Sequence, residues 1–145
     1  MNAQSKNQET PLFWASKSGH AAIAKLLISQ GANANANNKE NKSLIHFASE
    51  HGHTETVEFL VGKDASSINA EESVSNFQPL HYAALNGHFN VVKILVQHGA
   101  NPTEKNSKGV SPLDIANASQ RGRSDIVKFL NAQGSHWTQR DILFH

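Results

Sequence analysis

Nine histidines in 145 residues, with no cysteine beside them, are the side chains of this sequence most able to do chemistry. Imidazole changes charge near neutrality, so it serves as general acid, general base or metal ligand. The tightest pair is His51-Gly52-His53, and a metal-dependent hydrolase built on His51 and His53 is the catalytic reading it invites. Two features weigh against that reading. Gly52 breaks the helix there, and no cysteine or evident third ligand lies nearby to complete a zinc site. There is also no glycine-rich phosphate loop, no serine in a nucleophile elbow and no recurring carboxylate pair with a matching histidine. The absence of cysteine removes disulfides and thiol catalysis as well. The expectation is therefore of no catalysis, no cofactor and no metal.

The histidines instead follow a period. His46 and His81 stand in a phrase that occurs four times, as Thr10-Pro11-Leu12-Phe13-Trp14-Ala15, Ser43-Leu44-Ile45-His46-Phe47-Ala48, Gln78-Pro79-Leu80-His81-Tyr82-Ala83 and Ser111-Pro112-Leu113-Asp114-Ile115-Ala116, at intervals of 33, 35 and 33 residues. His20, His53 and His88 each follow a glycine, Gly19, Gly52 or Gly87, set four residues beyond the alanine that closes the phrase. Self-similarity at this spacing marks a solenoid whose units contact mainly their neighbours.

Elementary rules convert the period into structure. Proline fits the first turn of a helix, where its missing N–H would be unbonded, and the Ser, Thr or Gln ahead of it takes the capping position. The glycine then ends that helix. A second one follows with period 3.6, carried by Ile23, Leu26 and Leu27; Val57, Phe59 and Leu60; Val91, Val92, Ile94 and Leu95; and Ile126, Val127, Phe129 and Leu130. The asparagine-rich stretch from Asn33 to Asn41 reads as an exposed turn. Helices below ~12–15 residues do not persist alone, so stacking between units must hold them, with Leu80 and Leu95 in the core. The expected fold is all-α, a solenoid of four helix-turn-helix repeats.

With its glycine-small endings Gly31-Ala32, Gly99-Ala100 and Gly134-Ser135, the pattern resembles the ankyrin repeat over about Thr10 to Trp137. Repeat 3, from Pro79 to Asn101, is close to the family pattern throughout. The resemblance implies one domain over 1–145, with repeats at about 6–37, 38–70, 73–105 and 106–137 and a cap or tail at 138–145. It implies β-hairpin or turn fingers between the helix pairs, and histidines that hydrogen-bond backbone between neighbouring units. Phe13 and Asp114 replace histidine in the terminal units, where atypical residues are expected. Leu44 stands for proline in repeat 2. The connection into repeat 3 carries two extra residues, so its finger is expected to be longer or bulged. Two more precede Gly122 in repeat 4. Trp137, Ile142, Leu143 and Phe144 are expected to fold over repeat 4 as a cap, the alternative being a docking strip.

The resemblance further implies a partner protein, bound on a concave face of finger tips and inner helices. Repeat 2 offers Lys39, Glu40, Lys42, Glu50 and His51 as charged rim contacts; repeat 3 offers Val74, Ser75, Phe77, Leu85 and Asn86; repeat 4 offers Lys108 and Val110. Phe77 is expected to anchor the partner and to contribute little to stability, unless the longer finger folds it inward. Trp14, Phe47, Tyr82 and Ile115 share one position and form a ladder that stacks neighbouring units, contacts ligand, or does both. The expected role is adaptor or inhibitor; the alternative is the targeting part of a larger enzyme or effector.

Bulk properties agree with a binding module. Thirteen basic residues against twelve acidic create no field toward nucleic acid or anionic lipid. No stretch reaches the ~18 apolar residues of a membrane span, and Met1 to Lys6 lacks the apolar core of a secretory signal. A cytoplasmic protein is expected, or one acting in a host cytosol if it is an effector, and a monomer, with end-to-end pairing through Trp137 and Phe144 as the alternative.

Overall fold

In a computed structural model the described residues are 10–63, 67–118 and 124–133. They form helices α1 (Pro11–Ser18), α2 (Ala21–Ser29), α3 (Leu44–Glu50), α4 (Thr54–Lys63), α5 (Pro79–Asn86), α6 (Phe89–Gln97) and α7 (Pro112–Ala118), and α8 over 124–133. Of these, α1 with α2, α3 with α4 and α5 with α6 pair as helical hairpins. Odd-numbered helices α1, α3, α5 and α7 pack in one row, and α2, α4 and α6 pack in a second row behind it. The all-α solenoid is the observed architecture.

Each inner helix starts and stops as its residues dictate. Pro11 and Pro79 occupy the first turns of α1 and α5, and the Ser43 hydroxyl accepts from the His46 N–H at the start of α3. Gly19 and Gly52 close α1 and α3 at φ of 76° and 74°, where a side chain is strained. Space forbids one too: a Cβ on either glycine would lie 2.5 Å from Nδ1 of the next unit's histidine, His53 or His88. Leu12, Leu60, Leu80, Leu95 and Leu130 are fully buried in one continuous core, and Leu44 fills the place where proline was expected.

The fingers are turns and not strands. Among the described residues the only β pairing is an isolated bridge between Asn37 and Ser43. Each finger instead closes on one backbone bond: Asn38 N–H to Lys42 O at 3.0 Å, Glu72 N–H to Phe77 O at 3.0 Å, and Asn106 N–H to Val110 O at 2.9 Å. The middle loop closes one residue later than the other two, which is the lengthening expected there. A side chain at the base fills each loop. Asn38 Oδ1 accepts from Glu40 and Lys42, Asn106 Oδ1 from Lys108 and Val110, and the Glu72 carboxylate from Val74, Ser75 and Phe77. The longer loop needs the longer side chain. Asn38 and Asn106 are buried by this duty, unlike the exposed turn residues their type suggests. The inter-helix insertion of repeat 4 and the tail with Trp137, Ile142, Leu143 and Phe144 lie outside the described residues.

Replacing Leu80 with alanine is expected to remove roughly 2–5 kcal/mol of stability, as truncation of a buried leucine does. A loss below about 1 kcal/mol in denaturant melts would contradict this core.

Candidate functional site

The histidines do bind, but they bind the protein itself. His46 Nδ1 accepts from the Ser43 N–H at 3.0 Å, so its proton sits on Nε2, which donates to the Phe77 carbonyl at 3.0 Å in the next unit's finger. His81 repeats the arrangement, accepting from the Gln78 N–H at 3.1 Å and donating to the Val110 carbonyl at 2.8 Å. His53 and His88 reach the other way, to the Lys17 and Glu50 carbonyls at 2.6 and 3.0 Å, oxygens that the ends of α1 and α3 leave without intrahelical partners. Asp114 keeps half of the device: it accepts from the Ser111 N–H at 3.0 Å and is itself capped by the Ser111 hydroxyl, but a carboxylate is too short to cross to another unit. Phe13 makes neither bond, and packs edge-on to Phe47 at 5.6 Å.

His51 and His53 lie with ring centroids 6.0 Å apart, and the Nε2 of His53 is committed to Lys17. Among the described residues no group of three His, Cys, Asp or Glu side chains is placed to hold a metal ion.

Two clusters stand out on the inner row. The first is built around Lys42, whose ammonium lies 4.5 Å from the centre of the Phe47 ring, 4.6 Å from that of Tyr82 and 2.6 Å from the Glu50 carboxylate. Lys17 also lies over the Phe47 ring, at 4.8 Å from its centre. Lys42 is therefore not a rim charge; its long stem lets it reach between two rings, where cation–π attraction and the ion pair replace its lost hydration. Burial, with the Glu72 and Glu50 charges, raises the Tyr82 pKa, so Tyr82 stays neutral beside them.

The second cluster is an apolar groove of about 370 Å³ between α5 and α7, lined by Leu85, Val110, Asp114, Ile115 and Ala118. Leu85 is among the large apolar side chains that stand exposed. Asp114 edges the groove and pairs with Lys105 at 3.3 Å.

The remaining candidates scatter. Phe77 is half-buried, stacked on His81 at 5.2 Å and edge-on to Tyr82 at 5.2 Å, so it supports its own unit. Val74 stands exposed on the finger tip, Ser75 is half-buried, and Lys39, Glu40 and His51 are exposed. Lys108 donates to the Val74 carbonyl, and Asn86 to that of Glu50. Trp14 stacks on His20 at 4.9 Å and not in the inner cluster. Glu72, Asp114 and Ala118 were not among the expected contacts. Only the register of Glu72 with Asn38 and Asn106 could have revealed its place.

Paired short helices in two rows, joined by turn fingers and stitched by periodic histidines, define a helical-repeat solenoid. A family model described as ankyrin repeats (3 copies) matches residues 1–72 and again 66–141; the chain belongs to the ankyrin repeat family, whose members are generally protein–protein interaction modules. No curated protein matches it. No helix among the described residues is long and apolar enough to cross a membrane.

The burial of the bridging histidines makes stability fall in acid, against the smaller opposing effect of their bonds to the Phe77 and Val110 carbonyls. Burial lowers the His46 pKa from 6.5 to about 4, and burial likewise lowers that of His81. Through that window the unfolded chain binds more protons than the folded one, so stability drops as pH drops, by roughly 3 kcal/mol for His46 when folding is compared above and below both values. Burial alone would raise the Glu72 pKa, yet its three N–H donors bring it below the usual 4.5, so its contribution is also lost in acid. Denaturant midpoints are expected to fall between about pH 7 and about pH 4.5, and His46→Gln to flatten that slope. A midpoint independent of pH would contradict the assignment.

Proposed function

We propose that this chain is a non-catalytic recognition module, working as one unit over 1–145, which binds a partner protein across its inner helices and finger tips. The observation that carries the reading is the groove: four of its five lining residues, Leu85, Val110, Ile115 and Ala118, are apolar, and they surround a space open to an incoming side chain. Interfaces draw most of their energy from a few central apolar or aromatic anchors inside a polar rim. Here Asp114 and Lys105 supply that rim on one side, and Lys108 and Val74 lie on the fingers beyond. Tyr82 and the Lys42–Glu50 pair present a rigid, half-buried platform beside it, because each side chain is held by its neighbours.

Such a surface acts by occupancy, as an adaptor holding one protein near another or as an inhibitor covering a working surface. A cytoplasmic location suits both, since a chain without cysteine draws nothing from an oxidising compartment.

Leu85→Lys places a charge in the groove at one of its exposed positions. It is expected to keep the wild-type melting midpoint and to weaken binding of the protein captured by wild type at least about tenfold, or about 1.4 kcal/mol. Equal affinity would move the site away from the groove.

A further inference from the structure

The groove between α5 and α7 recurs in register at the two earlier joints of the stack, and there the chain fills it with its own side chains. Between repeats 1 and 2 the Lys17 and Lys42 ammoniums lie over the Phe47 ring, 4.8 and 4.5 Å from its centre. Between repeats 2 and 3 the Phe77 ring meets those of His81 and Tyr82, each at 5.2 Å. Between repeats 3 and 4 the residues in the same places are Val110 for Phe77, Asp114 for His81, Ile115 for Tyr82 and Ala118 for Leu85. Each is smaller than its counterpart, and these four line the groove. The space of about 370 Å³ is thus a ring-bearing joint from which the rings have been taken out. Leu85 completes the wall where repeat 2 has Glu50, so no carboxylate stands there to hold a lysine across the opening as Glu50 holds Lys42.

One charge remains on the wall and narrows the chemistry of an occupant. The Ser111 N–H above all, and Lys105 after it, hold the Asp114 carboxyl below its ordinary range, so it is an anion at neutral pH. Both bonds fall on Oδ2, at 3.0 and 3.3 Å, and a carboxylate has further acceptor capacity. The pair with Lys105 is exposed and weak for that reason. An aliphatic side chain in the groove would cover the carboxylate and give it no donor, which costs free energy. An aromatic ring with an O–H or N–H fills the space and supplies the donor. The chain makes this combination itself, where the Tyr82 hydroxyl bonds the Glu72 carboxylate.

We infer that the groove takes the side chain of a tyrosine or tryptophan on an exposed segment of the partner protein, its ring against Leu85, Val110 and Ile115 and its O–H or N–H donated to Asp114. The inference rests on the recognition site proposed above and names what that site selects.

NMR of the nitrogen-labelled chain, titrated separately with the N-acetyl amides of tyrosine, tryptophan, phenylalanine and leucine, tests this. Single side chains bind weakly, on the order of millimolar, and shift titrations read that range. The tyrosine and tryptophan amides are expected to move the backbone signals of Leu85, Val110 and Ala118, and to bind at least roughly threefold more tightly than the phenylalanine amide, as one added hydrogen bond would give. Leucine amide is expected to bind more weakly still. Asp114→Asn is expected to narrow the gap between tyrosine and phenylalanine. Val110→Phe with Ala118→Leu restores two residues of the filled joint; it is expected to keep the melting midpoint and to lose the shifts. Leucine amide bound as tightly as tyrosine amide, no movement of the groove signals with any of the four, or undiminished shifts in the filled variant would each overturn the aromatic occupant. Capture by Leu85→Lys fails or succeeds independently: a partner lost on that variant while the groove prefers leucine amide leaves the recognition site standing and removes only its ring.

Discussion

A neutral imidazole that accepts from its own helix and donates to the next unit is the contact on which the stack depends. Helices of seven to ten residues are too short to persist by themselves. His46 and His81 cap the inner helices of repeats 2 and 3 through Nδ1 and fasten the following fingers through Nε2. His53 and His88 tie each of those units back to the last carbonyls of the one before. Each central unit is thus bound in both directions. The glycines at 19 and 52 follow from this, since the backbone must turn left-handed and leave room for the incoming ring.

That stitching leaves the finger tips available for the recognition proposed above. With the backbone of each finger satisfied by Asn38, Glu72 or Asn106, all buried, tip residues such as Val74 and Lys39 carry no structural duty through their side chains. Fingers also join tip to tip: Ser73 N–H donates to the Glu40 carbonyl at 2.8 Å, and Ser107 to the Glu71 carboxylate. The inner row can therefore hold Lys42, Phe47 and Tyr82 in fixed geometry, and a surface that is already ordered loses little entropy on binding. The same logic makes the ends special, because Phe13 and Asp114 forgo the bridging bond in the two units that have a described neighbour on one side only.

Most of the fold was legible in the sequence because its signals are local and repeated. Proline, histidine and glycine at fixed offsets mark helix starts, bridges and stops, and four copies average out the exceptions. The site was less legible, since its geometry arises between units. Lys42 reads as a surface charge until its ammonium is found against both the Phe47 and the Tyr82 ring. Phe77 reads as an anchor until it is found stacked on His81. Glu72 looks like any turn acid, and only its burial beneath three N–H donors reveals it as the base of the lengthened finger. The groove at Leu85 draws on α5, α7 and the finger between them, a combination that spacing along one helix does not show.

The tautomer of the bridging rings tests the central claim most directly. Nitrogen NMR of the labelled protein at neutral pH would assign the proton on each ring of His46 and His81. Bare Nδ1 and protonated, exchange-protected Nε2 on both is the result required by a ring that accepts from its own cap and donates to the next finger. A proton on Nδ1 of either ring, or rings that are charged at neutral pH, would mean that the units are not joined in this way.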